Sequence, residues 1–321
     1  MRCGTWRCST SPSSSPPVAS ASTANRTIVA LAEDELIVEW LAAARLAARE
    51  HAWKVGGAPP VVAAARRGEQ PAEPLLVDLD ATGDHGAMRR PGRPARHSPD
   101  VQTGLGDPSA AGLVRMRGDG LGESSGGMLR PGNAGSNTTA GHIDVFEACL
   151  AALPCLPEGV ELVVRADTAG ATHGFLSCLR QAKVGFSVGF AVTADVRDAI
   201  RASPDDAWTP ATRQDGEPRE GAAVAELTGQ LDLSKYPDGS RVIARREPLH
   251  PGAQLTIEDI DGAGFTAFLT DRPEQDLAVL DVRHRAHAHV ADRIRARLVT
   301  PARATCRATR SNATRCGCSW S

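Results

Sequence analysis

Leu162-Val-Val-Arg-Ala-Asp-Thr-Ala-Gly-Ala-Thr-His-Gly-Phe-Leu176 is the stretch whose reading decides the fold. The apolar run over 160–166 reads as a short buried strand that stops at an acid, Asp167. Helical spacing follows near 172–182, and 184–190 then reads as a second strand. Strand, helix, strand in close succession points to an α/β fold, a sheet with helices on its faces. A matching apolar strand lies upstream, Leu75-Leu-Val-Asp-Leu-Asp80, and it also ends in acids. A carboxylate at the carboxyl end of a strand stands at the sheet edge where open α/β folds bind ligands. Two such acids on adjacent strands can share divalent metal ions, which clamp the attacking and leaving oxygens of phosphoryl transfer. The plain alternative for either acid alone is a helix cap or a turn.

Outward from these strands the chain alternates in character. Residues 1–25 are Ser/Pro-rich and read as disordered. Over 26–50, Ile28, Leu31, Leu36, Ile37, Trp40, Leu41 and Ala44 recur at helical steps. Residues 83–127 contain no aromatic side chain and no period of two or 3.6, so they are expected to be irregular. Helices are expected near 141–153 and 193–202, mostly β segments over 205–270, and a long final helix over about 274–297. Residues 298–321 carry arginines without one acid and read as an irregular basic tail.

Composition narrows the options. The 321 residues carry a net charge of −2, so no global positive field recruits nucleic acid and any DNA contact must rest on local patches. Aromatic residues are only 4%, which leaves a core of Ala, Val, Leu and Ile. The eight cysteines form no pair of CxxC motifs, and read as free thiols in a reducing cytoplasm. Arg2 and Arg7 have no apolar segment behind them, and no run of about 18 apolar residues occurs to span a membrane.

Several runs resemble the DDE group 1 transposases, an RNase H-like family of bacterial insertion sequences: LLVDLDAT (75–82), MLRPGNAGSNT (128–138), LVVRADTAGATHGFL (162–176), FSVGFAVTADVRDAI (186–200), AWTPA (207–211), VAELTGQLDLS (224–234), RVIARREPLHPGAQLTIEDIDG (241–262) and RHRAHAHVADRIR (283–295). The resemblance implies an RNase H-like mixed sheet with flanking helices and a mostly β insertion before the last helix. The core would then occupy 26–82 and 128–204, interrupted by 83–127; the insertion 205–270; and the final helix 271–297. It further implies two Mg²⁺ ions, DNA at insertion-sequence ends as partner, and self-association, with no small-molecule substrate. The first two metal-binding carboxylates fall on Asp80 and Asp167, with Asp78 an open alternative for the first. The third belongs to a helical motif resembling RHRxxAxxEDRIR, and the position of its glutamate is Ala291.

A chain without that glutamate is expected to be catalytically dead, because positioning and charge stabilisation supply nearly all of phosphoryl-transfer catalysis. Asp292 is adjacent, but one helical step turns a side chain by about 100°. Three other features fit decay: no DNA-binding domain is read ahead of Arg26, residues 83–127 look scrambled, and the tail looks foreign. Frameshifts near residues 83, 126 and 296 would account for the last two. His284, His287 and His289 invite a metal reading, but a basic helix face toward DNA phosphate, with Arg283, Arg285, Arg293 and Arg295, is preferred. Arg130 in the RPGN loop is a further candidate phosphate contact. A non-catalytic DNA-binding remnant is the alternative function. A third reading takes Asp78-Leu-Asp80-Ala-Thr82 as a DxDxT phosphatase signature, with Asp78 the nucleophile and Asp80 the general acid.

Overall fold

A computed structural model describes residues 35–83, 108–115, 122–129, 139–249 and 262–287, with four helical positions before them, Thr23, Arg26, Thr27 and Ala30. In chain order the elements are α1 (Glu35–Ala52), α2 (Pro60–Arg66), β1 (Leu75–Gly83), β2 (Pro108–Arg115), β3 (Gly122–Leu129), α3 (Thr139–Ala151), β4 (Leu162–Ala166), α4 (His173–Gln181), β5 (Gly185–Phe190), α5 (Ala194–Ala202), β6 (Thr209–Thr212), β7 (Pro218–Glu226), β8 (Arg241–Pro248), β9 (Ala263–Thr270) and α6 (Leu277–Arg285).

All nine strands join one sheet in the order β3-β2-β1-β4-β5-β9-β8-β7-β6. β1, β4 and β5 run parallel, as the apolar runs bridged by α3 and α4 require, since parallel neighbours need helical crossovers. β2 and β3 pair antiparallel on the β1 side. The first five strands, an antiparallel β3-β2-β1 followed by parallel β4 and β5, give the RNase H-like mixed sheet that the sequence led us to expect.

Side-chain alternation sorts the sheet into two faces. Leu75, Val77, Leu79, Leu162, Val164, Ala166, Phe186, Val188, Val242, Ala244, Ala267 and Leu269 belong to the main core, with Val145, Phe146, Phe175, Leu176 and Leu179 from α3 and α4 over them. Removing a fully buried Phe175 or Leu179 from water contributes roughly 1.5–3 kcal/mol each. The intervening residues Val224, Ile243 and Phe268 face the other way and pack with Leu280 of α6 in a smaller cluster. Helices α3 and α4 therefore cover one face, and α6 covers the other.

Three features differ from the sequence reading. Residues 108–115 and 122–127, expected to be irregular, form with 128–129, where a strand was expected, a hairpin on β1; a Gly-rich pair of strands has no periodicity of its own and is defined by the backbone bonds β1 offers. The β segment before the last helix continues the core sheet through the β5–β9 pairing. Finally, α6 starts at Leu277, where the Asp276 side chain accepts from the backbone N–H of Ala278 (2.9 Å) and Val279 (3.4 Å). Its expected extension past residue 287 lies outside the described residues, as do Arg130, Ala291, Asp292, Arg293, Arg295 and His289.

Candidate functional site

The site is built where β1 and β4 reach their carboxyl ends. Their register pairs Asp78 with Arg165 and Leu79 with Ala166. Asp80 and Asp167 each come directly after the last pair of that register, Asp80 on β1 and Asp167 as the residue that follows β4. Asp167 ends the strand in extended geometry, and its carboxylate accepts from the Ala169 N–H at 3.1 Å, closing the turn over Thr168–Gly170. β5 presses on that turn: a Cβ at Gly189 would lie 2.7 Å from the Thr168 nitrogen, so glycine is required there by contact. Asp80 is half-buried on β1 and Asp167 is exposed.

Directly beneath this carboxylate pair, on the same face, lies an ion pair that seals the sheet. The Arg165 guanidinium donates to both oxygens of Asp78, Nε to Oδ1 at 2.6 Å and Nη2 to Oδ2 at 2.7 Å. The two side chains are 0% and 2% exposed. A third Arg165 nitrogen donates to the backbone carbonyl of Arg283, which ties β1 and β4 to α6. His287 approaches Asp78 at 3.4 Å. Burial alone would raise the Asp78 pKa, but the Arg165 charge and the His287 hydrogen bond outweigh it and hold the carboxyl at about 2.

This geometry separates the two candidate aspartates. Asp78 is a closed structural carboxylate, bidentate to arginine and shut from solvent, whereas Asp80 occupies the position level with Asp167. It also removes the physical basis of the phosphatase reading, since a nucleophile must reach its substrate. Arg165 escaped the sequence reading. Its signal was there: an acid two residues before Asp80 and a base two residues before Asp167 sit at matching positions of neighbouring strands.

Helix α6 lies over the same face. His284 stacks flat on Phe268, with ring centroids 4.5 Å apart and 8° between planes, and its Nδ1 is 3.0 Å from the Ser187 hydroxyl. Burial, with the nearby His287, Arg165 and Arg245 charges, depresses its pKa to about 3, so the ring is neutral and structural. Arg283 pairs with Glu73 at 2.8 Å and also with Glu274. Arg285 pairs with Asp281 at 2.8 Å and donates to the Thr212 carbonyl. The DNA-facing role expected of Arg283 and Arg285 is therefore not what their geometry supports, because both guanidiniums are committed to partners within the fold.

Among the described residues, no three His, Cys, Asp or Glu side chains are grouped so as to hold a metal ion. Asp80 and Asp167 are two carboxylates at one level, and Ala291, where the resemblance calls for the third, has no oxygen to offer. Asp80 and Asp167 therefore have no third carboxylate grouped with them among the described residues. Asp281, the other buried acid of α6, is engaged by Arg245 at 3.3 Å and Arg285 at 2.8 Å.

The architecture and the level carboxylates define the class first, an RNase H-like α/β unit. The family model described as transposase DDE domain, group 1, matches residues 120–319, more than half of the chain. The chain belongs to that family, whose members work with divalent metal ions on DNA. The matched range contains Asp167 and Ala291 and runs through the basic tail over 298–319, while Asp78 and Asp80 precede it. One similar solved structure is the cryo-EM structure of a piggyBac transposase synaptic complex with hairpin DNA, at 10% identity and a TM-score of 0.37. That likeness covers 70% of this chain and 41% of the piggyBac chain, so the chain spans less than half the length of that protein. No curated protein matches the chain at a significant level. Among the described residues no helix is long and apolar enough to cross a membrane.

Proposed function

We propose that this chain is an insertion-sequence DDE transposase that keeps the fold and two of the carboxylates but does not cleave DNA. The observation that carries the reading is the parallel register of β1 and β4, whose last pair, Leu79 and Ala166, directly precedes Asp80 and Asp167, taken with alanine at position 291. In phosphoryl transfer the protein contributes positioning and charge stabilisation rather than covalent chemistry, so a site short of one carboxylate loses most of what it has to give. Asp292 does not replace the missing group, because a neighbouring helical position is rotated by about 100° and its side chain is shorter than glutamate. His287, just past the end of α6 and four residues before Ala291 in sequence, is the residue that reaches Asp78.

DNA contact is assigned to Arg130, Arg293 and Arg295, since Arg283 and Arg285 would have to abandon internal ion pairs. The alternative role for such a chain is occupancy of element ends in competition with an intact transposase. The proposed decay includes frameshifts near residues 83, 126 and 296, with the last weakened by the family match that continues to residue 319. Translating the other two frames of the gene over 83–126 and past 296 tests it, and the idea fails if neither frame yields family-like sequence.

The functional test incubates the full chain with Mg²⁺ or Mn²⁺ and supercoiled plasmid carrying the DNA that flanks its gene. The expected result is no nicking above a protein-free control, for the parent and for Ala291→Glu alike. Nicking by the parent that disappears in Asp80→Asn would overturn the reading.

A further inference from the structure

Beside the Asp167 turn stands an aromatic cluster whose inner rings, Phe190 and Tyr236, pack against the main core and whose outer ring, His173, is exposed. Tyr236, the only tyrosine in 321 residues, sits on the loop over 231–240. Its ring packs against His173 at 4.5 Å between centroids with planes 56° apart, and edge-on against Phe190 at 5.7 Å. Each ring comes from a different element. His173 opens α4, Phe190 closes β5, and Tyr236 arrives from the loop before β8. The cluster adjoins the carboxylate edge, because Gly189, next to Phe190, is the residue in contact with Thr168 and Asp167.

The loop is held in place. Arg180 of α4 donates to the Asp238 carbonyl, the Tyr236 N–H donates to Leu233 O at 2.9 Å, and Asp232 accepts from the Ser234 N–H at 3.0 Å. Phe190 and Tyr236 are half-buried and His173 is exposed. Six of the twelve aromatic side chains go to the interior: Trp53, Phe146, Phe175, Phe186, Trp208 and Phe268 are all buried. His173 and Tyr236 form a fixed pair of rings at the carboxyl edge, with His173 open to solvent.

We propose that His173 and Tyr236 form a stacking platform for an unpaired base of a DNA strand led past the carboxylate edge. The inference rests on the reading that the chain engages DNA. Every base has a π-face, so a rigid aromatic pair binds a single strand with little sequence preference, provided cations nearby receive the phosphates. Lys235, adjacent to the platform and exposed, supplies one such charge, while Asp232 and Asp238 on the same loop keep the surface from holding duplex by charge alone.

The test uses the full chain, a single-stranded oligonucleotide bearing 2-aminopurine, and the same sequence as duplex, across a salt series. The parent is expected to bind the single strand with quenched 2-aminopurine fluorescence. Tyr236→Ala and His173→Ala should each weaken that binding about 5- to 150-fold, the range that loss of one base–aromatic stack produces. Tyr236→Phe should stay within about twofold, and the salt slope should not change, because no phosphate contact is removed. His173 is exposed, so its variant answers the question even where Tyr236→Ala fails to fold. A parent that binds DNA as well as both alanine variants do, without quenching, overturns the platform and leaves the DNA-engaging reading standing. A parent that binds neither form at low salt overturns both.

Discussion

Replacing Arg165 with methionine strands the Asp78 carboxylate in the sheet, and the size of the effect follows from the burial of both partners. The pair is 0% and 2% exposed, so solvent cannot take over the role of the guanidinium. Breaking a buried ion pair by removing one partner costs about 3–5 kcal/mol, because an uncompensated charge is left behind. At this size a loss of 1 kcal/mol lowers Tm by about 2–4 °C, so Arg165→Met should fall by roughly 6–20 °C. Removing both charges, as in Asp78→Leu with Arg165→Met, should recover most of the loss. It would leave the Arg283 carbonyl without its donor, at about 1–3 kcal/mol, and His287 without its contact to Asp78. The pH dependence separates charge from packing. In the parent the Asp78 pKa is depressed to about 2 from 3.8, so its contribution is full above pH 3.8 and is lost as pH falls toward 2. In Arg165→Met burial raises that pKa instead, so the gap to the parent is widest at neutral pH and narrows on acidification as Asp78 takes up a proton. Denaturant unfolding of the three variants and the parent at pH 7 and pH 4 measures this. A gap below about 1 kcal/mol, or one equal at both pH values, would refute the claim that a buried charge pair seals β1 to β4.

Other outcomes follow from the same structure. His284 is held neutral with its pKa depressed to about 3 from 6.5, so the unfolded chain binds the extra proton between those values and stability falls as pH drops below 6.5. The slope from this group is about 1.4 kcal/mol per pH unit. His284→Gln should flatten the parent's acid limb between pH 6.5 and 5, and an unchanged slope would show that the ring is not buried as described. Gly189→Ala places a methyl group 2.7 Å from the Thr168 nitrogen and should cost about 1–3 kcal/mol in thermal unfolding; a neutral effect would mean that β5 does not press on the Asp167 turn. Thiol labelling of the native protein followed by mass spectrometry should modify exposed Cys155 and spare Cys149, which is buried and whose pKa burial raises to about 11. Equal labelling of the two would contradict the placement of α3.

Much of the fold was legible in the sequence because its central strands are locally explicit. Leu75–Asp80 and Leu162–Asp167 are apolar runs ending in acids, and the helical spacing after Thr172 announces α4 with its own cap, the Thr172 hydroxyl accepting from the Phe175 N–H at 3.4 Å. β2 and β3 were illegible for the opposite reason. Their Gly- and Ser-containing segments carry no pattern, and they are strands only because β1 offers an open edge. The strands of 209–270 could be read singly, but nothing in their residues says that β9 pairs with β5; that contact joins residues about 80 apart in sequence.

At the site, the choice between Asp78 and Asp80 could not be settled from one strand, since both lie on the same face. It needed the partner strand's register, which sets Arg165 against Asp78 and leaves Asp80, like Asp167, just beyond the last paired residues. The histidine-rich start of 283–295 looked like a basic surface because charge is visible in sequence and burial is not. Phe268 and Ser187, contributed by β9 and β5, hold the His284 ring inward against the sheet, half-buried rather than on a basic surface.

Manganese binding tests the central claim most directly. Titrating the full chain with Mn²⁺ and counting free ions by electron paramagnetic resonance asks whether the carboxylate edge holds a metal pair at all. With two level carboxylates and alanine at position 291, the account predicts no saturable pair of ions in the parent and no change in Asp80→Asn or Asp167→Asn. A parent that retains two Mn²⁺ ions per chain, and loses them in either aspartate variant, would contradict it.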